Sequence, residues 1–129
     1  MSPSNPDGYS YSTHGRVVVV RTPQTPVLDG ARNIFVALRD DPAIAKGALL
    51  LVDARESEVD LAPGLVRNRV ELMWSLLGTK FAPFMAMVPR SPNTGLTIQR
   101  VQMEAFVFAG IQIGIFPTVD EARQWLELH

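Results

Sequence analysis

The chain contains no cysteine. That excludes a disulfide scaffold, a thiolate metal site and a cysteine nucleophile, and it removes any need for an oxidising compartment. Histidine occurs only as His14 and His129. One falls in an expected turn and the other at the last position, and no serine sits on a sharp strand-to-helix turn of the hydrolase kind. A Ser-His-Asp arrangement is therefore not expected, and no catalytic residue is assigned. The nine glycines are dispersed, so the clustered glycine loop that cradles phosphates is missing. No uninterrupted apolar run exceeds five residues, against the roughly 20 that a membrane-spanning helix needs. Residues 1–12 lack the basic and apolar regions of a signal peptide. A cytoplasmic location is expected.

A strong excess of either charge is missing as well. The chain has 12 basic and 13 acidic side chains over 129 residues, a net charge of -1. Divided at Gly64, neither half is strongly basic, so a nucleic-acid partner is not expected. What is present is apolar: 47% of residues, with a mean hydropathy of +0.10. That is enough for one folded domain, expected over residues 9–129 behind a mobile tail at residues 1–8.

Proline and glycine separate the apolar segments. Tyr9, Tyr11 and Thr13 alternate with serines and read as a short edge strand. His14-Gly15 offers a turn into Val17 to Val20, a strand apolar on both faces. Thr25-Pro26 starts a helix with Leu28, Ala31, Ile34, Phe35 and Leu38 on one face, and Asp41-Pro42 ends it. Ala48 to Val52 is a second buried strand, closing on Asp53. Pro63 and Gly64 precede a second helix with Val66, Val70, Met73 and Leu77 on one face, and Gly78 is placed to cap it. Phe84 to Val88 reads as a strand bounded by Pro83 and Pro89. Ser91-Pro92 opens a third helix through Leu96, Val101, Met103 and Phe106 to Gly110. Ile111, Ile113 and Ile115 make the last strand. Thr118 and Glu121 form a capping box, Val119, Ala122, Trp125 and Leu126 follow it, and the helix is expected to dock on the sheet through Val119, Ala122 and Trp125. The order β-β-α-β-α-β-α-β-α predicts an α/β fold, a mixed, mostly parallel sheet of four to five strands with four helices. Val17 to Val20 and Leu49 to Val52 are expected side by side at its centre.

Three segments carry a family resemblance: Arg16 to Arg21 as the first central strand, Leu49 to Asp53 as an apolar strand ending in aspartate, and Ile111 to Phe116 followed by Val119 to Ala122. Together with the element order they resemble the STAS domain, the SpoIIAA-like fold of anti-sigma factor antagonists. They also resemble the single-domain bacterial proteins grouped as STAS/SEC14-like. The resemblance implies a non-catalytic module that binds or regulates another protein. The family's motif is an aspartate, a phosphorylatable serine, a small residue and a glycine at the start of the second helix. Here those positions hold Leu61, Ala62, Pro63 and Gly64. Only the glycine survives, and Ala62 has no hydroxyl to accept a phosphate, so the phosphoserine switch is not implied.

Two candidate sites follow. Asp53, Arg55, Glu56, Glu58 and Asp60 are the densest charge cluster, just beyond a strand's carboxyl end, where open α/β sheets place ligands. With Ala62 and Gly64 they mark a candidate interaction surface. The carboxylates suit a basic partner or a divalent cation, or they form a solvated loop. Arg67 and Arg69 nearby either meet an anion or serve solubility. The second candidate is Met73, Trp74 and Met103, within a set that includes Met85, Met87, Phe106 and Phe108. Methionine-rich surfaces adapt to ligands, so this set either packs a core, lines a pocket for a small apolar, lipid-like molecule, or forms an interface between copies of the chain. No cofactor and no structural metal is expected.

Overall fold

The computed structural model describes residues 8–24, 28–56, 71–90 and 110–129. The first strand, β1 (Ser10–His14), turns back through Gly15 and Arg16 into β2 (Val17–Arg21). Gly15 has φ +62, a left-handed backbone that glycine adopts without penalty. Then come α1 (Leu28–Asp40), β3 (Ala48–Ala54), a helical stretch over residues 71–77 (α2), β4 (Phe81–Pro89), β5 (Gln112–Ile115) and α3 (Val119–Glu127). The fold is α/β. The five strands among the described residues form one sheet in the order β1-β2-β3-β4-β5. β1 runs antiparallel to β2, and every other pairing is parallel.

The two continuous apolar runs lie side by side, with Val17 opposite Leu49 and Val20 opposite Val52. Side chains alternate across a strand, so each run feeds two cores. Val18, Val20 and Leu50 pack with Ala31, Ile34, Phe35 and Leu38 of α1 and with Met73 and Leu77 of α2. Val17, Val19, Leu49 and Leu51 pack with Ala86 and Val88 of β4 and with Ala122 and Leu126 of α3. All four valines of β2 are buried. Each contributes about 1.5–3 kcal/mol by leaving water, which favours an interior place for this segment, between β1 and the middle strand β3.

Four expectations are changed or left aside. β4 is longer than Phe84 to Val88 and carries both prolines inside it. Between the pairs Ala48–Phe81 and Leu50–Met85, β3 passes one residue while β4 passes Ala82, Pro83 and Phe84. This irregularity gives Pro83, which has no N–H to donate, a place off the ladder. Pro89 is the last strand residue, opposite Ala54. Gly78 does close α2, but not as a left-handed cap, since it is not among the positive-φ glycines. Its N–H donates to the Trp74 carbonyl at 2.8 Å. A Cβ there would lie 2.6 Å from that carbonyl oxygen and 3.0 Å from the Trp74 indole, so close packing by Trp74 is what requires glycine. Thr118 caps α3 as expected, with Oγ1 accepting from the Glu121 N–H at 3.2 Å. The buried residues of that helix are Ala122 and Leu126. Val119 and Trp125 are half-buried and pack against the same core, as expected of the docking face, with Trp125 also against Phe116 and His129. Three helices are present among the described residues. The expected third helix, the Thr25-Pro26 start, Pro63 with Gly64, and the tail at residues 1–7 lie outside them.

Candidate functional site

The carboxyl ends of β2 and β3 meet in register, Arg21 opposite Asp53. Alternation from Val17 and Val19, and from Leu49 and Leu51, puts both on the α3 face of the sheet. Asp53 is the one charged residue buried among the described residues, at 5% exposure. A buried carboxylate must be paired, and this one is held by the residue two positions on. The Arg55 backbone N–H donates to Oδ1 at 3.2 Å, its Nε to Oδ1 at 2.8 Å, and its Nη2 to Oδ2 at 2.8 Å. The turn is thereby closed by side chain and backbone together. The Thr22 N–H adds a bond to the Asp53 carbonyl at 3.1 Å, tying the segment after β2 to the same place. Arg21 stands behind, its Nε 3.9 Å from Oδ2.

The electrostatics follow from this geometry. Burial pushes the Asp53 carboxyl up, but the hydrogen bonds from Arg55 and the charges of Arg55 and Arg21 outweigh it, and the group sits below its ordinary value. The hydrogen bond to Asp53 in turn raises Arg55. Asp53 is a fixed anion. Its lone pairs are occupied by arginine, and its place in the structure is to aim Arg55. The two guanidiniums remain open to water, Arg21 by 68% and Arg55 by 51%.

Glu56 is exposed beside Arg55. Glu58, Asp60, Ala62 and Gly64 of the expected surface, and Arg67 and Arg69, lie outside the described residues. Among the described residues no group of three His, Asp or Glu side chains is placed to hold a metal ion. Sequence reasoning found Asp53 and its turn but missed Arg21. The signal that would have found it is parallel register: two apolar runs of matching length, one ending in arginine and one in aspartate, place those ends together.

Of the second candidate site, Met73 is buried in the core and Trp74 is half-buried against it; Met103 lies outside the described residues. Met73 and Trp74 border a narrow apolar cleft with Leu50, Leu77, Phe81 and Met85, whose enclosed space is about 10 Å³, room for about one water molecule. His14 is exposed, with Nε2 3.1 Å from Ser12 Oγ. Among the described residues no helix is long and apolar enough to cross a membrane. Comparison with models of protein families, with curated proteins and with solved structures finds no match to this chain.

Proposed function

We propose that the chain is a non-catalytic, STAS-like (SpoIIAA-like) module that binds or regulates another protein through the carboxyl edge of its sheet, without a phosphoserine switch. The observation that carries this reading is the buried Asp53 that clamps Arg55 and stands beside Arg21. An arginine held by a buried carboxylate on a rigid strand end, with its outer edge in water, is a preorganised recognition element. The STAS part of the reading is supported by the element order and by the single sheet with one antiparallel edge strand. Ala62 supports the loss of the switch. A cytoplasmic location goes with a regulatory module of this kind.

The test is affinity capture with identification by mass spectrometry, comparing the wild-type protein with Arg55→Glu. A specific partner retained by the first and lost by the second is the expected result. A partner retained equally by both places the interaction surface elsewhere. A second reading, binding of a small apolar ligand, rests on the cleft beside Met73 and Trp74. Native mass spectrometry separates the two, because a retained small molecule belongs only to the second.

A further inference from the structure

The hydrogen bonds at the carboxyl edge are unevenly used. A guanidinium has five N–H donors in one plane. The side-on contact of Arg55 with Asp53 takes the Nε–H and one N–H of Nη2. The Nη1 pair and the second Nη2 hydrogen point away from Asp53. At 3.9 Å, Arg21 is beyond hydrogen-bond distance of the same carboxylate, so it contributes charge there without giving up a donor. Resting on the reading of this edge as the interaction surface, we infer that its occupant is a carboxylate of a partner protein, an Asp or Glu side chain received by the outer edge of Arg55 with Arg21 alongside.

Three observations lead to a carboxylate. The first is charge: Asp53 is buried and paired with Arg55, Arg21 and the outer edge of Arg55 face water, and the exposed Glu56 beside Arg55 offsets part of their charge, so the edge suits a ligand of low negative charge. A carboxylate supplies a single negative charge. A phosphate carries nearly two and has to face both Asp53 and the exposed Glu56. The second is shape. The free edge of a planar guanidinium matches the two oxygens of a carboxylate, as a point-like ammonium does not. The third is rigidity. Arg55 is tied to Asp53 by backbone and side chain at once, so little rotamer freedom is lost when the outer edge is filled. Glu56 works the other way. It lies beside Arg55 and competes with the ligand for the same charge. Neutralising it strengthens an acidic ligand and weakens a basic one, so its sign of effect is diagnostic.

The experiment follows the arginine Nε–H signals of isotope-labelled full-length protein by NMR. The probes are a capped glutamate hexapeptide, a capped lysine hexapeptide and inorganic phosphate. The glutamate peptide moves the Arg55 and Arg21 signals saturably. Arg55→Lys, which keeps the charge and loses the fork, weakens binding about tenfold, and raising the salt weakens it further. Glu56→Gln tightens it about threefold. Arg21→Gln, at an exposed position, weakens it without risk to the fold and stands in if Arg55→Lys unfolds. Binding of the lysine peptide instead, phosphate binding tighter than the glutamate peptide, or no response to the glutamate peptide overturns the inference. A protein partner lost in Arg55→Glu while the acidic peptide is ignored also overturns it, yet leaves the interaction surface standing. A partner indifferent to Arg55→Glu removes the surface itself.

Discussion

The two edges of the parallel sheet are built from the same ingredients and use them in opposite ways. At the amino edge, Lys80 precedes β4 and reaches the end of α1. Its ammonium donates to the carbonyls of Leu38, Arg39 and Asp41 at 2.9, 3.0 and 2.7 Å. Leu38 and Arg39 are among the acceptors that a helix leaves open at its C-terminus, Asp41 is the residue that follows it, and an ammonium has three donors to give. Asp41 beside it accepts from the Tyr11 hydroxyl at 2.7 Å and from the Ala43 N–H at 2.9 Å. Every donor of this lysine is spent inside the fold. At the carboxyl edge, the Asp53 carboxylate is fully engaged while the cations around it keep donors facing water. A cation consumed by backbone carbonyls is a structural clasp. A cation held by one side and open on the other is a recognition group.

Substitutions of the two cations test this contrast directly. Lys80→Met keeps the apolar stem and removes the charge, taking this donor from the Leu38 and Arg39 carbonyls and from that of Asp41, which keeps the Ile44 N–H at 3.2 Å. A cation at a helix C-terminus and hydrogen bonds from a charged group together predict a loss of about 2–3 kcal/mol, read as a lower urea midpoint. Arg55→Met at the carboxyl edge predicts a smaller loss, about 1–2 kcal/mol. The Asp53 carboxylate keeps the Arg55 backbone N–H and has Arg21 within 3.9 Å, so it is not left alone in an apolar site. Equal or reversed losses would show that the carboxyl edge is a clasp as well, and the functional reading of Arg55 would lose its basis.

The parts of this contrast legible in the sequence are the local ones. Val17 to Val20 and Leu49 to Val52 announce buried strands by their own side chains, and Thr118 announces its cap three residues ahead of Glu121. The charge cluster from Asp53 to Asp60 is visible because its members lie within eight residues of one another. What was not legible depends on residues far apart in the chain. Lys80 meets carbonyls about 40 positions earlier only because β3 and β4 start side by side, with Gly47 N–H bonded to the Lys80 carbonyl. Arg21 meets Asp53 only through parallel register. Pro83 looked like a strand boundary because the ladder was assumed regular, whereas the slip between Ala48 and Leu50 makes room for it. That Gly78 closes its helix is legible, but the packing of Trp74 that requires a glycine there is a tertiary fact. Val119, Ala122, Trp125 and Leu126 are legible as the apolar side of the last helix, and all four pack on the sheet; which of the neighbours Trp125 and Leu126 is buried more deeply depends on the packing.

The two aspartates sharpen the comparison through pH. The hydrogen bond from Tyr11, then the Ala43 N–H, hold Asp41 below its ordinary value. Asp53 is held below its own by Arg55 and Arg21 against the upward push of burial. A carboxyl depressed in the folded state binds protons more readily unfolded, so each contribution is complete above about pH 4 and is lost as pH falls through the folded value. Asp53→Asn therefore makes the fall of stability below about pH 4 shallower than in the wild-type protein, measured as urea midpoints at successive pH values. Identical slopes would mean that the Asp53 carboxylate gains nothing from its arginines.

The smallest effect belongs to the amino edge and runs the other way. Tyr11 is pushed up to about 12 by burial, by its hydrogen bond to Asp41 and by the charge of that carboxylate. A phenol unfolds with a value near 10. Its raised folded value means that the contact stabilises fully below about pH 10 and is lost as pH rises towards 12. Tyr11→Phe costs about 0.5–1.5 kcal/mol at neutral pH, the worth of one hydrogen bond. The ionisation itself is read from tyrosinate absorbance. The chain has only Tyr9 and Tyr11, so subtracting the Tyr11→Phe titration from that of the wild-type protein isolates Tyr11. A midpoint near 12 is expected. In Asp41→Asn it falls part of the way back, since burial remains while the charge is gone. A midpoint at about 10 in the wild-type protein would show that Tyr11 does not face Asp41 in solution, and the amino edge would then rest on Lys80 alone.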